Sequence, residues 1–147
     1  VNAPHWLYKL LARENLSARV KLGPEDRVGI EFADRLRVWS LEGSLIATWT
    51  HIPHEVGGGG GRSSQLRYAV AKALGLITGS GDYVFTSKHG GAWIEIKKPK
   101  TEASGKGRST PEQKLFGDWC ERLGVPYDVA YSADEAEALL RQWGMLI

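Results

Sequence analysis

Apolar residues recur at helical spacing in three segments of the second half of the chain, and between them lie short runs that alternate or read as strand. After the glycines at 57–61, Leu66, Val70, Ala73 and Leu74 share one helical face and Gly75 supplies a stop. Leu115, Phe116, Trp119, Cys120 and Leu123 give a second helix its expected buried face. Thr110-Pro111-Glu112-Gln113 opens that helix as a capping box with proline at the first helical position, and Gly124 ends it. A third helix starts from a capping box at Ser132-Ala133-Asp134-Glu135 and turns Ala136, Leu139, Leu140 and Trp143 inward. Tyr83–Thr86 and Ala92–Lys97 read as strands joined by the loop residues Ser87–Gly91, and Val125–Tyr131 reads as another strand. The order from residue 62 onward is therefore α-β-β-α-β-α, which predicts an α/β fold with a mixed central sheet flanked by helices.

Upstream the pattern is weaker. Residues 4–22 mix aromatics, leucines and basic residues, and a short helix is expected over Pro4–Arg13. Pro24 and Gly29 interrupt the pattern, and weak alternation over Val28–Trp39 predicts short strands. Ser44–Ile52 predicts a strand running into Pro53. The five glycines at 57–61 fit no regular element and predict a flexible loop or a very close backbone approach. Residues 1–44 read as an unassigned N-terminal extension packed on the same domain as residues 45–147, and there is no internal repeat.

Composition narrows the class. A chain of 147 residues with 42% hydrophobic positions and six tryptophans fits one domain with a real core. Cys120 is alone, which excludes a disulfide framework or a cysteine-based zinc site within one chain and points to a reducing, intracellular setting. His51, His54 and His89 lack the spacing of a zinc-binding pair and read as surface or hydrogen-bonded histidines. No stretch approaches the ~20 apolar residues of a membrane span, so no membrane partner is expected. The net charge is only +2, but Lys97, Lys98, Lys100, Lys106, Arg108 and Lys114 fall in one segment interrupted by Glu102 and Glu112 alone. By itself this is as well read as a solvated loop as a polyanion-binding patch.

The chemistry sits where that segment begins. In a strand alternate side chains share a face, so Trp93, Glu95 and Lys97 point one way and Ile94 and Ile96 the other. Glu95 and Lys97 alone fit a polar edge strand. Asp82 follows the turn Thr78-Gly79-Ser80-Gly81, and a hairpin would bring it near Glu95. Two carboxylates beside a lysine make a site for a hard divalent cation, and this is the arrangement that phosphoryl hydrolysis requires.

Asp82 followed by Glu95-Ile96-Lys97 resembles the signature of the PD-(D/E)xK nucleases, and the surroundings resemble the VRR-NUC branch of that superfamily. The supporting pieces are His54-Glu55, Ile77–Phe85, Trp93–Pro99 and Ser109–Gln113 with the helix beyond, so the resemblance spans about residues 50–143. It implies a restriction-endonuclease-like core and metal-dependent cleavage of DNA, leaving 5′-phosphate and 3′-hydroxyl ends. Mg²⁺ would be held by Asp82, Glu95 and the Ile96 backbone carbonyl, with Mn²⁺ as substitute. Lys97 would position or activate the nucleophilic water. Glu55 matches the family's helix-borne acid and would complete the acidic cluster. Gln113 matches the family's glutamine after the catalytic strand, a role that competes with its reading as a capping-box partner. Two departures stand out: Gly81 replaces the proline that usually precedes the aspartate, and the glycine run intervenes before Arg62.

With that neighbour, Lys98, Lys100, Lys106, Arg108, Lys114 and Arg62 read as contacts to the DNA backbone. The resemblance further implies branched DNA, such as a four-way junction, as substrate, and the cytoplasm of a bacterial or phage-infected cell as the setting. A two-fold junction favours a homodimer, and Trp39 and Trp49 are candidate interface residues. A DNA-binding module that does not cut, an RNA-directed phosphodiesterase and a purely structural partner protein stay open as alternatives.

Overall fold

The computed structural model describes residues 3–54, 61–99, 101, 105 and 107–147. The sheet has four strands in the order β1-β2-β3-β4: β1 Thr48–His51, β2 Tyr83–Ser87, β3 Gly90–Ile96 and β4 Tyr127–Ala130. The first two pairings are antiparallel and β3–β4 is parallel. A parallel neighbour demands a crossover, and α4 (Pro111–Leu123) provides it. The remaining helices are α1 (His5–Leu11), α2 (Pro24–Glu42), α3 (Arg62–Ala73) and α5 (Ala133–Gln142). From α3 onward the order is α-β-β-α-β-α, so the predicted α/β class with a mixed sheet between helices is the observed one. No helix among the described residues is long and apolar enough to cross a membrane.

The stretch expected to form short strands is helical. Val28, Phe32 and Leu36 recur every four residues, and with Ala33 they form the buried stripe of α2. Pro24 starts this helix instead of breaking it, because the first helical residues need no amide donor. Gly29 is accommodated within it, its carbonyl accepting a hydrogen bond from the Tyr83 hydroxyl at 3.0 Å. The stripe packs with Tyr83, Phe85, Ile94, Ile96, Ala136 and Leu140 into the main core, with α2 and α5 on one face of the sheet. Each of the large side chains buried there contributes about 1.5–3 kcal/mol.

Both predicted helix starts hold at their first residues. Thr110 accepts from the Gln113 amide at 3.2 Å and the Gln113 side chain accepts from the Thr110 amide at 2.8 Å, a complete capping box. At α5 the Ser132 hydroxyl accepts from the Glu135 amide, but the Glu135 carboxylate accepts from Tyr131 instead of Ser132. α4 covers the opposite face of the sheet, where Phe116 meets Trp93 and Tyr127 edge to face at 5.1 and 5.8 Å between ring centroids.

Two expected buried faces are not buried. On α4 only Phe116 and Cys120 are inside, while Leu115, Trp119 and Leu123 stay exposed. On α3 the half-buried positions are Ser64, Tyr68 and Ala71, and no residue is fully buried. Its apolar stripe therefore points outward. Periodicity identifies the stripe of a helix, but the rest of the fold decides which way that stripe turns.

Candidate metal centre

The β2–β3 register pairs Tyr83 with Ile94, so one step beyond the strand Asp82 stands opposite Glu95. The Asp82 carboxylate accepts a hydrogen bond from the Ile96 amide at 2.7 Å, and the Asp82 carbonyl accepts from the Ile52 amide at 2.7 Å. These two bonds fix the aspartate at one end of the two central strands.

The turn before it is held from outside. Gly79 has φ +91°, and a Cβ there would lie 2.4 Å from the Glu112 carbonyl carbon and oxygen. Only glycine lets the turn lie against the first turn of α4. Gly81 packs against the Trp93 side chain, where a Cβ would come within 3.2 Å of two of its atoms. The His54 ring nitrogen lies 3.4 Å from the Gly81 carbonyl and 3.5 Å from the Ser80 hydroxyl, in keeping with a hydrogen-bonded histidine.

Strand alternation works as expected along β3. Ile94 and Ile96 enter the main core, while Trp93 and Glu95 face α4. Glu95 is 1% exposed and Lys97 is 7% exposed. Glu95 Oε1 accepts from the Gln113 amide nitrogen at 2.6 Å and lies 3.3 Å from the Lys97 ammonium. Gln113 thus serves the capping box with its oxygen and the carboxylate with its nitrogen at the same time. Among the described residues, Glu95 Oε2 has no hydrogen-bond partner although it is buried. A buried carboxylate oxygen without a partner is costly unless something else satisfies it.

The third acid at this point is Glu25, from the first turn of α2. Glu25, Asp82 and Glu95 each offer a carboxylate oxygen, and those oxygens lie within 4.8 Å of one another. They grade from exposed Glu25 through half-buried Asp82 to buried Glu95. A cleft of about 380 Å³ opens onto Glu25 and Asp82, and Asp26, His51, Tyr83 and Ile96 also line it. Burial, then the Asp82 charge, raise the Glu95 carboxyl to about 8, against the opposing pull of Lys97. One lysine does not balance three converging carboxylates, and a divalent cation would.

No family model, curated protein or solved structure matches the chain. The site is therefore read from its own geometry and from the motif residues.

Of the residues singled out in the sequence, Asp82, Glu95, Ile96, Lys97 and Gln113 come together here. Glu55, Lys100 and Lys106 lie outside the described residues, as do Glu102 and the glycines at 57–60. Lys98 is half-buried beside Lys97, and its carbonyl accepts from the Gly107 amide at 3.0 Å, so the basic segment returns to the end of β3. Arg108 and Lys114 are exposed, and Arg62 is exposed at the start of α3. Sequence reading did not single out Glu25, because Pro24 read as a break and Val28–Trp39 as short strands. The signal was there: Pro24 at a helix start, Glu25 and Asp26 in the first turn, then Val28, Phe32 and Leu36.

Proposed function

We propose that the chain is a divalent-metal-dependent endonuclease with a restriction-endonuclease-like core, cutting phosphodiester bonds in branched DNA. The observation that carries this reading is the convergence of Glu25, Asp82 and Glu95, with a partnerless buried oxygen on Glu95, beside the Lys97 ammonium. The donors are all oxygens, which suits Mg²⁺, with Mn²⁺ as substitute. Glu25, Asp82 and Glu95 would hold the ion, with the Ile96 backbone carbonyl and Glu55 as further candidate donors. When bound, such an ion polarises the scissile phosphate and lowers the pKa of a water molecule.

The chain's own groups have distinct tasks. Gln113 holds Glu95 by one oxygen, and the other, which has no partner, would be available to hold the ion. The Lys97 ammonium donates hydrogen bonds to the attacking water and then to the phosphate oxygens as their negative charge grows. Cleavage adds water across the bond between phosphorus and the 3′ oxygen; the hydroxyl stays on the 5′-phosphate and the proton ends on the 3′-hydroxyl. Lys98, Arg108 and Lys114, with Lys100, Lys106 and Arg62, supply the positive charge that draws in the DNA backbone without reading its sequence. The preference for branched DNA comes from the VRR-NUC resemblance.

A panel of linear, flap, splayed and four-way DNA, incubated with Mg²⁺, Mn²⁺, Ca²⁺ or chelator, tests the reading. The expected outcome is cutting of branched substrates with Mg²⁺ or Mn²⁺, binding with little turnover in Ca²⁺, and none in chelator. Cutting that survives thorough chelation, or binding to every DNA with no cutting in any metal, would overturn it.

A further inference from the structure

Helix α3 is attached to its own chain by its polar side. Tyr68 hydrogen-bonds Thr78 at 3.0 Å, and Ser64 and Ala71 flank it on the half-buried face. On the other side Leu66, Val70 and Leu74 are 58%, 59% and 85% exposed. An apolar stripe turned to water along the length of a helix is the opposite of what folding alone selects, and it marks a contact surface.

The same chain carries a receptacle for such a stripe. A groove of about 480 Å³ begins at Gly75, directly after Leu74, and runs between Leu76, Ile77, Trp93, Phe116, Trp119 and Leu123. Stripe and groove are thus continuous in the chain. α3 carries Arg62, Arg67 and Lys72 with no acid, and the exposed patch beside Trp119 on α4 mixes Asp118 and Glu121 with Arg122. The exposed parts of Leu66, Val70, Leu74, Ile77, Trp119 and Leu123 add up to roughly 700 Å², close to the roughly 800 Å² each partner contributes to a standard interface.

We propose that a second copy of this chain covers this surface, the α3 stripe of each copy lying in the groove of the other. Both halves of the contact belong to one chain, so a two-fold axis satisfies both at once and closes the assembly. The contact is a helix laid in an apolar groove with anchors every four residues. Trp39 and Trp49, expected at a dimer interface, pack instead against the main core, so the homodimer takes a different surface, one that does not rest on the nuclease reading.

Light scattering coupled to gel filtration decides it without any measurement of cleavage. The wild-type chain is expected as a dimer at tens of micromolar. The pair Val70→Asp and Leu74→Asp, made together on the stripe, is expected to give a monomer with unchanged circular dichroism. Leu123→Asp, on the groove wall, should do the same. Mixing the two monomeric variants restores one of the two contacts, so a heterodimer should reappear, weaker than wild type. A wild-type monomer, an unchanged dimer in the stripe variant, or no association on mixing would each overturn the proposal.

Discussion

Ile94 and Ile96 leave β3 toward α2 and α5, into the main apolar core. Glu95 leaves the other face of the same strand, toward Gln113 and Lys97, and is as deeply buried as its neighbours. The two faces experience the same exclusion of water with opposite consequences. On the apolar face exclusion stabilises the fold, about 25 cal/mol for each Å² removed from water. On the polar face it raises the free energy of a carboxylate and leaves one of its oxygens without a partner. A strand that is buried on both faces yet polar on one holds its reactive groups rigid and dry, at some expense of stability.

The largest expected effect separates the two faces outright. Glu95→Gln keeps the shape of the side chain and removes the charge, so cleavage should fall by at least about 10³-fold while the fold is retained or becomes more stable. Ile94→Ala, one residue away, should lower stability by about 3 kcal/mol in denaturant melts. Its residual activity per folded molecule should stay near that of wild type. Equal losses of activity from the two changes, at equal folded fraction, would erase the distinction.

A change of pH probes the polar face alone. Glu95 titrates near 8 in the folded, metal-free protein, against an ordinary value of 4.5. Between those values the folded chain keeps a proton that the unfolded chain releases, so metal-free stability should fall as pH rises from about 5 to about 8 and level off above. Mg²⁺ competes with that proton, so its stabilising effect should grow across the same window. Thermal melts with and without Mg²⁺ measure both trends, and Glu95→Gln should flatten them. Metal-free stability that climbs across this window would mean that Glu95 is already ionised.

The smallest expected effect comes from Gln113, which joins the two structural roles. Gln113→Ala removes half of a capping box, worth about 1 kcal/mol, and one hydrogen bond to Glu95. Activity should fall about tenfold, chiefly in kcat, with a shift of the pH profile that a lost cap alone would not cause. Thr110→Ala is the control, since it weakens the cap and leaves the Glu95 contact in place. Equal pH profiles in the two variants would reduce Gln113 to a cap.

Local features were legible in the sequence for local reasons. Asp82 and Glu95 sit on adjacent strands of one hairpin, so the alternation of side chains and the register of a short loop bring them together. Thr110 and Gln113 are three residues apart, a spacing at which side chain and backbone satisfy each other without help. Glu25 enters the same cluster from a helix far upstream, and no pattern within its own segment shows that α2 lies against β3. The inverted α3 is a sharper case. Leu66, Val70 and Leu74 mark an amphipathic helix from sequence alone, yet the attachment of α3 through its opposite face, where Tyr68 bonds Thr78, sets the stripe outward. From residue 62 onward the sequence by itself determined the elements, their order and the acid–lysine pattern on β3, because these depend on neighbours along the chain. The tertiary structure decided which third acid joins the cluster, which oxygen of Glu95 is left without a partner and which helix face meets water. Those depend on neighbours in space, and burial, not spacing, fixes them.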